Sequence, residues 1–100
     1  MTLRHVVTWR LSGDTVEQRD EQAAEIIAAV TPLIDTVPSV RALSIHRNEL
    51  VHGDNWDVTL IADFDDEDGL AAYASHPEHV AAGAIIKGYA IGRVATDFTV

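Results

Sequence analysis

Trp56-Asp57-Val58-Thr59-Leu60-Ile61-Ala62-Asp63-Phe64 is the stretch from which the rest of this chain is read. Trp56, Val58, Leu60, Ala62 and Phe64 are apolar at every second position, with Asp57, Thr59, Ile61 and Asp63 between them. A period of two places each set on its own face of an extended strand. Leu3 to Leu11 has the same form: Leu3, His5, Val7, Trp9 and Leu11 share one face, and Arg4, Val6, Thr8 and Arg10 the other. Val40 to Arg47 predicts a strand between these two. Tyr89 to Val100 predicts the last one, with Val94, Thr96, Phe98 and Val100 on one side.

Helical signals fill the gaps. Thr15 and Gln18 have the spacing of a capping box, and Glu17 suits the positive end of a helix dipole. Ala23, Ile26, Ile27, Val30 and Ile34 recur at helical spacing, and Pro32 predicts an end near Val30 with one loose turn to Asp35. Asp65 is the expected cap of a second helix, with Asp66, Glu67 and Asp68 in its first turn, running to Ser75. His76-Pro77 breaks it, and a third helix follows from Glu78 to about Lys87. The order β-α-β-β-α-β predicts one α+β domain over residues 1–100. It is ferredoxin-like, with a four-stranded antiparallel sheet and its helices on one face. The uncovered face is assigned Val6, Thr8, Leu43, Ile45, Thr59 and Ile61. Apolar groups there mark a partner surface, and two identical sheets packed face to face make a homodimer.

Composition narrows the function. With 16 acidic residues against seven Lys and Arg, the net charge is −9. Nucleic-acid affinity comes from cations neutralising phosphates, so nucleic acid is excluded as a partner. No apolar run approaches the roughly 20 residues that span a bilayer, so no membrane segment is expected. The first residues lack the form of a signal peptide, and there are no cysteines; the chain is expected to be cytoplasmic.

The reactive groups concentrate in Tyr73-Ala74-Ser75-His76-Pro77-Glu78-His79. Histidine titrates near neutrality and a phenol donates to a carbonyl oxygen, so this segment suits proton transfer without a cofactor. A core aromatic and a helix-start histidine held by backbone groups are the structural alternatives for Tyr73 and His79. Three imidazoles, His5, His76 and His79, suffice in number for an open zinc site. Their spacing matches no metal motif, and no metal is expected.

Taken together, Leu3-Arg4-His5-Val6-Val7, Trp56-Asp57-Val58-Thr59-Leu60, Leu70-Ala71-Ala72-Tyr73, His76-Pro77-Glu78-His79 and Arg93-Val94-Ala95-Thr96-Asp97-Phe98 resemble the stress-responsive α/β-barrel (Dabb) family across essentially the whole chain. The resemblance implies ferredoxin-like chains paired into a dimeric α/β barrel. The family includes plant stress proteins without established catalysis. It also includes olivetolic acid cyclase, which closes a linear polyketide by aldol condensation. By that resemblance Tyr73 and His79 are the catalytic pair of a cyclase-, isomerase- or lyase-type enzyme acting on a carbonyl compound, with no cofactor. The pocket lies inside each subunit and is lined by His5, Val7, Trp9, Leu60, Ala62, His76, Ala82 and Gly83. Ala23, Ala24, Ala82 and Gly83 stand where the cyclase has bulky groups, which implies a different ligand. The alternatives are a non-catalytic stress or assembly protein and, less favoured, a cofactor-free monooxygenase. A pocket of roughly 300 Å³ or more reaching Tyr73 and His79 favours the enzyme, and a collapsed one favours assembly.

Overall fold

The computed structural model describes residues 1–100, in the order β1 (Leu3–Leu11), α1 (Val16–Val30), α2 (Leu33–Thr36), β2 (Ala42–Arg47), β3 (Val58–Phe64), α3 (Glu67–Ser75), α4 (Pro77–Tyr89) and β4 (Ala90–Thr99). The strands lie in the order β2-β3-β1-β4 with every neighbouring pair antiparallel, a ferredoxin-like sheet. The alternation of β1 and β3 becomes layer structure. Val7, Trp9 and Leu11 pack with Val58, Leu60, Ala62 and Phe64 beneath Ala23, Ile26 and Val30 of α1 and Ala82 and Ile86 of α4. None of the helices is long and apolar enough to cross a membrane.

The caps explain where the helices lie. The Thr15 side chain accepts from the Gln18 amide, and the Gln18 side chain accepts from the Thr15 amide, so two otherwise unpaired donors of α1 are satisfied. α1 stops at Val30, and one further turn, α2, follows Pro32. The cap of α3 is Asp66, one residue later than the expected Asp65. Asp66 is extended and its carboxylate accepts from the Gly69 amide at 2.9 Å. The carboxylate of Asp65 is instead bound by Arg41, at 2.9 and 3.1 Å.

Two other expectations change. β3 begins at Val58, and Trp56 lies before it. A Cβ on Gly92 would come to 3.0 Å from the Trp56 ring, so a side chain there would push the indole away from β4 by a few tenths of an ångström. Leu43 and Ile45 do not belong to the open face. They pair with Ala62 and Leu60, which point into the core, and residues opposite one another share a face. Alternation in β2 separates Leu43 and Ile45 from Ser44 and His46 but does not say which set is inside. Pairing with β3 decides it. The open face therefore carries Ser44 and His46 from β2, Thr59 and Ile61 from β3, Val6 and Thr8 from β1, and Val94 and Phe98 from β4. Arg4 crosses it to grip Asp63 through two bonds of 2.9 and 3.1 Å, which holds the Asp63 carboxyl below its usual range.

Candidate active site

The bend between α3 and α4 makes the site. The residue before a proline disfavours helical geometry, and His76 is extended, with ψ 135°. It ends one helix and starts the next. Its amide donates to the Tyr73 carbonyl at 3.1 Å, and its Nδ1 accepts from the Glu78 amide at 3.1 Å. Six residues along one straight helix would leave Tyr73 and His79 about 120° apart around its axis. The break folds them together instead, with ring centroids 4.2 Å apart and planes tilted by 50°.

The same break frees a carbonyl. The Glu78 amide is occupied by His76 rather than by the last turn of α3, and His79 Nδ1 lies 3.0 Å from the Ala74 oxygen. A carbonyl only accepts, so Nδ1 carries a hydrogen. In the neutral ring, Nε2 is then the nitrogen open to a proton. Burial pushes the His79 pKa below the usual imidazole value. The Ala74 bond opposes this shift, and the charges of His5, Arg93 and Lys87 reinforce it. The ring is therefore neutral at pH 7, as a base must be.

Tyr73 is 2% exposed, packed against Phe64 with centroids 5.1 Å apart. Burial alone pushes its phenol up to about 12. Tyr73 is thus a neutral donor across the physiological range. The shift also has a stability consequence. Stability from the buried phenol is complete below pH 10, the unfolded value. It is lost as pH rises towards about 12, because the unfolded chain ionises first. The expected loss is on the order of 2 kcal/mol. Urea unfolding between pH 9 and 12 checks this: Tyr73→Phe should flatten the decline, and an equally steep fall in the variant would assign it elsewhere.

Tyr73 and His79 open onto a cavity of about 140 Å³ between sheet and helices. His5, Val7, Trp9, Leu60, Ala82 and Gly83 line it, as the sequence reading placed them. Two residues of that reading lie elsewhere. Ala62, paired with His5 and Leu43, is fully buried and does not reach the cavity. His76 is turned to the start of α4 by its capping bond. The sequence reading missed Val30, Ile86, Lys87 and Arg93, which also line the cavity. Two of these carry a signal in the sequence: Val30 stands on the apolar face of its helix, and Ile86 four residues after Ala82 on one helix face. His5, 9% exposed, bonds through Nδ1 to the carboxylate of Asp97, its partner across β1 and β4. No three His, Asp or Glu side chains converge in a way that would hold a metal ion.

Comparison with known proteins accords with this architecture. A dimeric protein of unknown function and ferredoxin-like fold from Bacteroides fragilis is similar at 29% identity and TM-score 0.89, over 99% of this chain and 96% of that one. A dimeric ferredoxin-like protein of unknown function from Thermobifida fusca is similar at 31% identity and TM-score 0.85, over 100% and 92%. A hydroxynitrile lyase from Passiflora edulis shares the fold at 14% identity and TM-score 0.80, over 99% and 93%. No curated protein matches the chain. The family profile of the stress responsive A/B barrel domain matches residues 3–100, and with its fold and motifs in agreement the chain belongs to that family, Dabb.

Proposed function

We propose that the protein is a homodimer in which each subunit carries out proton-transfer chemistry on a small carbonyl compound, as a lyase, isomerase or cyclase without a cofactor. His79 is the general base, and Tyr73 donates to the oxygen on which charge develops. The observation that carries this reading is the bond from His79 Nδ1 to the Ala74 carbonyl, which leaves Nε2 as the basic nitrogen of a neutral ring beside a neutral phenol. The fold accommodates lyase chemistry in the Passiflora edulis protein, but at 14% identity that likeness speaks for the fold alone.

The cavity falls short of the roughly 300 Å³ expected of an enzyme pocket, with Trp9, Val30 and Ile86 among its walls. It is close to the about 150 Å³ that admits benzene. A substrate of that size fits, and a long polyketide does not. The test is deuterium wash-in α to the carbonyl of cyclopentanone and cyclohexanone, followed by NMR in D₂O. Exchange above the buffer rate is expected from the wild type. Its absence sinks the reading, and equal exchange by His79→Ala moves the base elsewhere.

The assembly reading has its own support in the open face, where Val94 and Phe98 are 55% and 43% exposed beside Val6 and Ile61. Large exposed apolar groups on a sheet are covered by a partner, and both bacterial relatives above are dimeric. A second copy is the occupant proposed here. Phe98→Asp is expected to turn a dimer into a monomer by sedimentation equilibrium, with the far-UV spectrum unchanged. A variant that remains dimeric would place the interface elsewhere.

A further inference from the structure

We propose that Lys87 and Arg93 form an anion-binding end to the Tyr73–His79 cavity, so that its ligand is a small oxo acid carrying a carboxylate beside the reacting carbonyl. The inference rests on reading the cavity as a small-molecule site.

Charge inversion at the cavity is the first support. The chain has 16 acidic residues against seven Lys and Arg. No acidic side chain lines the cavity, whereas His5, His79, Lys87 and Arg93 all do. The distribution of ion pairs is the second. Arg4, Arg19, Arg41 and Arg47 are each engaged by a carboxylate. Only Arg10, Lys87 and Arg93 remain outside such pairs, and two of these three line one small cavity. In so acidic a protein, cations left without partners at a concave site are available to an incoming anion.

The two come from different elements, so the helix dipole does not account for both. Lys87 lies in the last turn of α4, where a cation is favoured in any case. Arg93 is on β4, opposite Trp9 of β1. The acid nearest along that face of β4 is Asp97, and its carboxylate is engaged by His5. A guanidinium takes a carboxylate in a planar two-bond fork, and an ammonium adds a point charge. A carboxylate held there directs the other end of a small ligand towards Tyr73 and His79. Both cations also disfavour the His79 imidazolium, so a bound carboxylate offsets them and makes His79 a stronger base.

Benzoate and benzamide, alike in shape and different in charge, provide the test, titrated at pH 7 while the Trp9 indole NMR signal is followed. The wild type is expected to bind benzoate about tenfold or more tightly than benzamide. Lys87→Gln with Arg93→Gln should erase the preference and keep benzamide binding, and Arg10→Gln should change nothing. Equal affinities, a preference that survives in the double variant, or no benzoate binding would overturn the proposal. The chemistry is judged separately. Benzoate preference without deuterium exchange removes the proton-transfer reading and leaves the anion site. Exchange without the preference does the reverse.

Discussion

His79→Ala is expected to lower turnover by about 10²–10⁴-fold, the usual worth of a positioned general base, and to leave the protein folded and its association unchanged. His79 is half-buried and lies outside the buried core; it touches the core only through the Tyr73 ring, which Phe64 also holds in place. His79→Gln, which keeps a donor for Ala74 and has no basic nitrogen, should be as slow as alanine. If glutamine restores activity, the ring is a positioning group and not the base. The pH profile supplies a separate check. Activity requires the neutral ring, so it falls as pH drops through the His79 pKa. Burial and the facing charges of His5, Arg93 and Lys87 put that limb below the ordinary imidazole value of 6.5. The direction for stability is the same, because below 6.5 the unfolded chain takes up the proton more readily than the folded one. An acid limb at or above 6.5 would assign it to another group.

The largest expected loss of stability is at Phe64. Its side chain is fully buried at the end of β3, against Tyr73 of α3, where sheet and helix layer meet. Phe64→Ala removes the transfer free energy of a ring and leaves a cavity, at about 3–5 kcal/mol. Domains of this kind have about 5–15 kcal/mol in total, so the variant sits near the edge of folding. The midpoint should fall by about 4–8 °C for each kcal/mol in thermal unfolding. Phe64→Leu keeps most of the volume and should cost clearly less. A loss under 1 kcal/mol for alanine would mean that the layers collapse onto the gap. Tyr73 loses its packing partner in Phe64→Ala, so any activity should fall further than the folded fraction does.

Much of this was legible in single residues. Val58, Leu60, Ala62 and Phe64 alternate because a strand with one buried face requires it, and all four are buried. Thr15 with Gln18 and His76 before Pro77 marked helix ends through local chemistry, and those ends occur where local bonding puts them. The sequence does not tell the face of Leu43 and Ile45, because a period of two is symmetric between inside and outside, and only their pairing with Ala62 and Leu60 breaks the symmetry. Lys87 and Arg93 gave no signal, since an isolated cation near a helix end or on an edge strand is what a solvated surface also shows. His76 stands three residues from both Tyr73 and His79, and Ala62 two from Leu60 on the same strand face, but His76 is held by a capping bond and Ala62 is sealed in the core.

By itself, then, the sequence determined the element order, the break at His76-Pro77 and the face on which His5, Val7 and Trp9 stand, because each follows from interactions within a few residues or from a strict alternation. Only the tertiary structure decided what meets across the layers. It brought His5, Val7 and Trp9 of the first strand and Arg93 of the last to the same small cavity as Tyr73, His79 and Lys87. Those contacts join residues on separate elements, and their geometry depends on how the helices settle on the sheet.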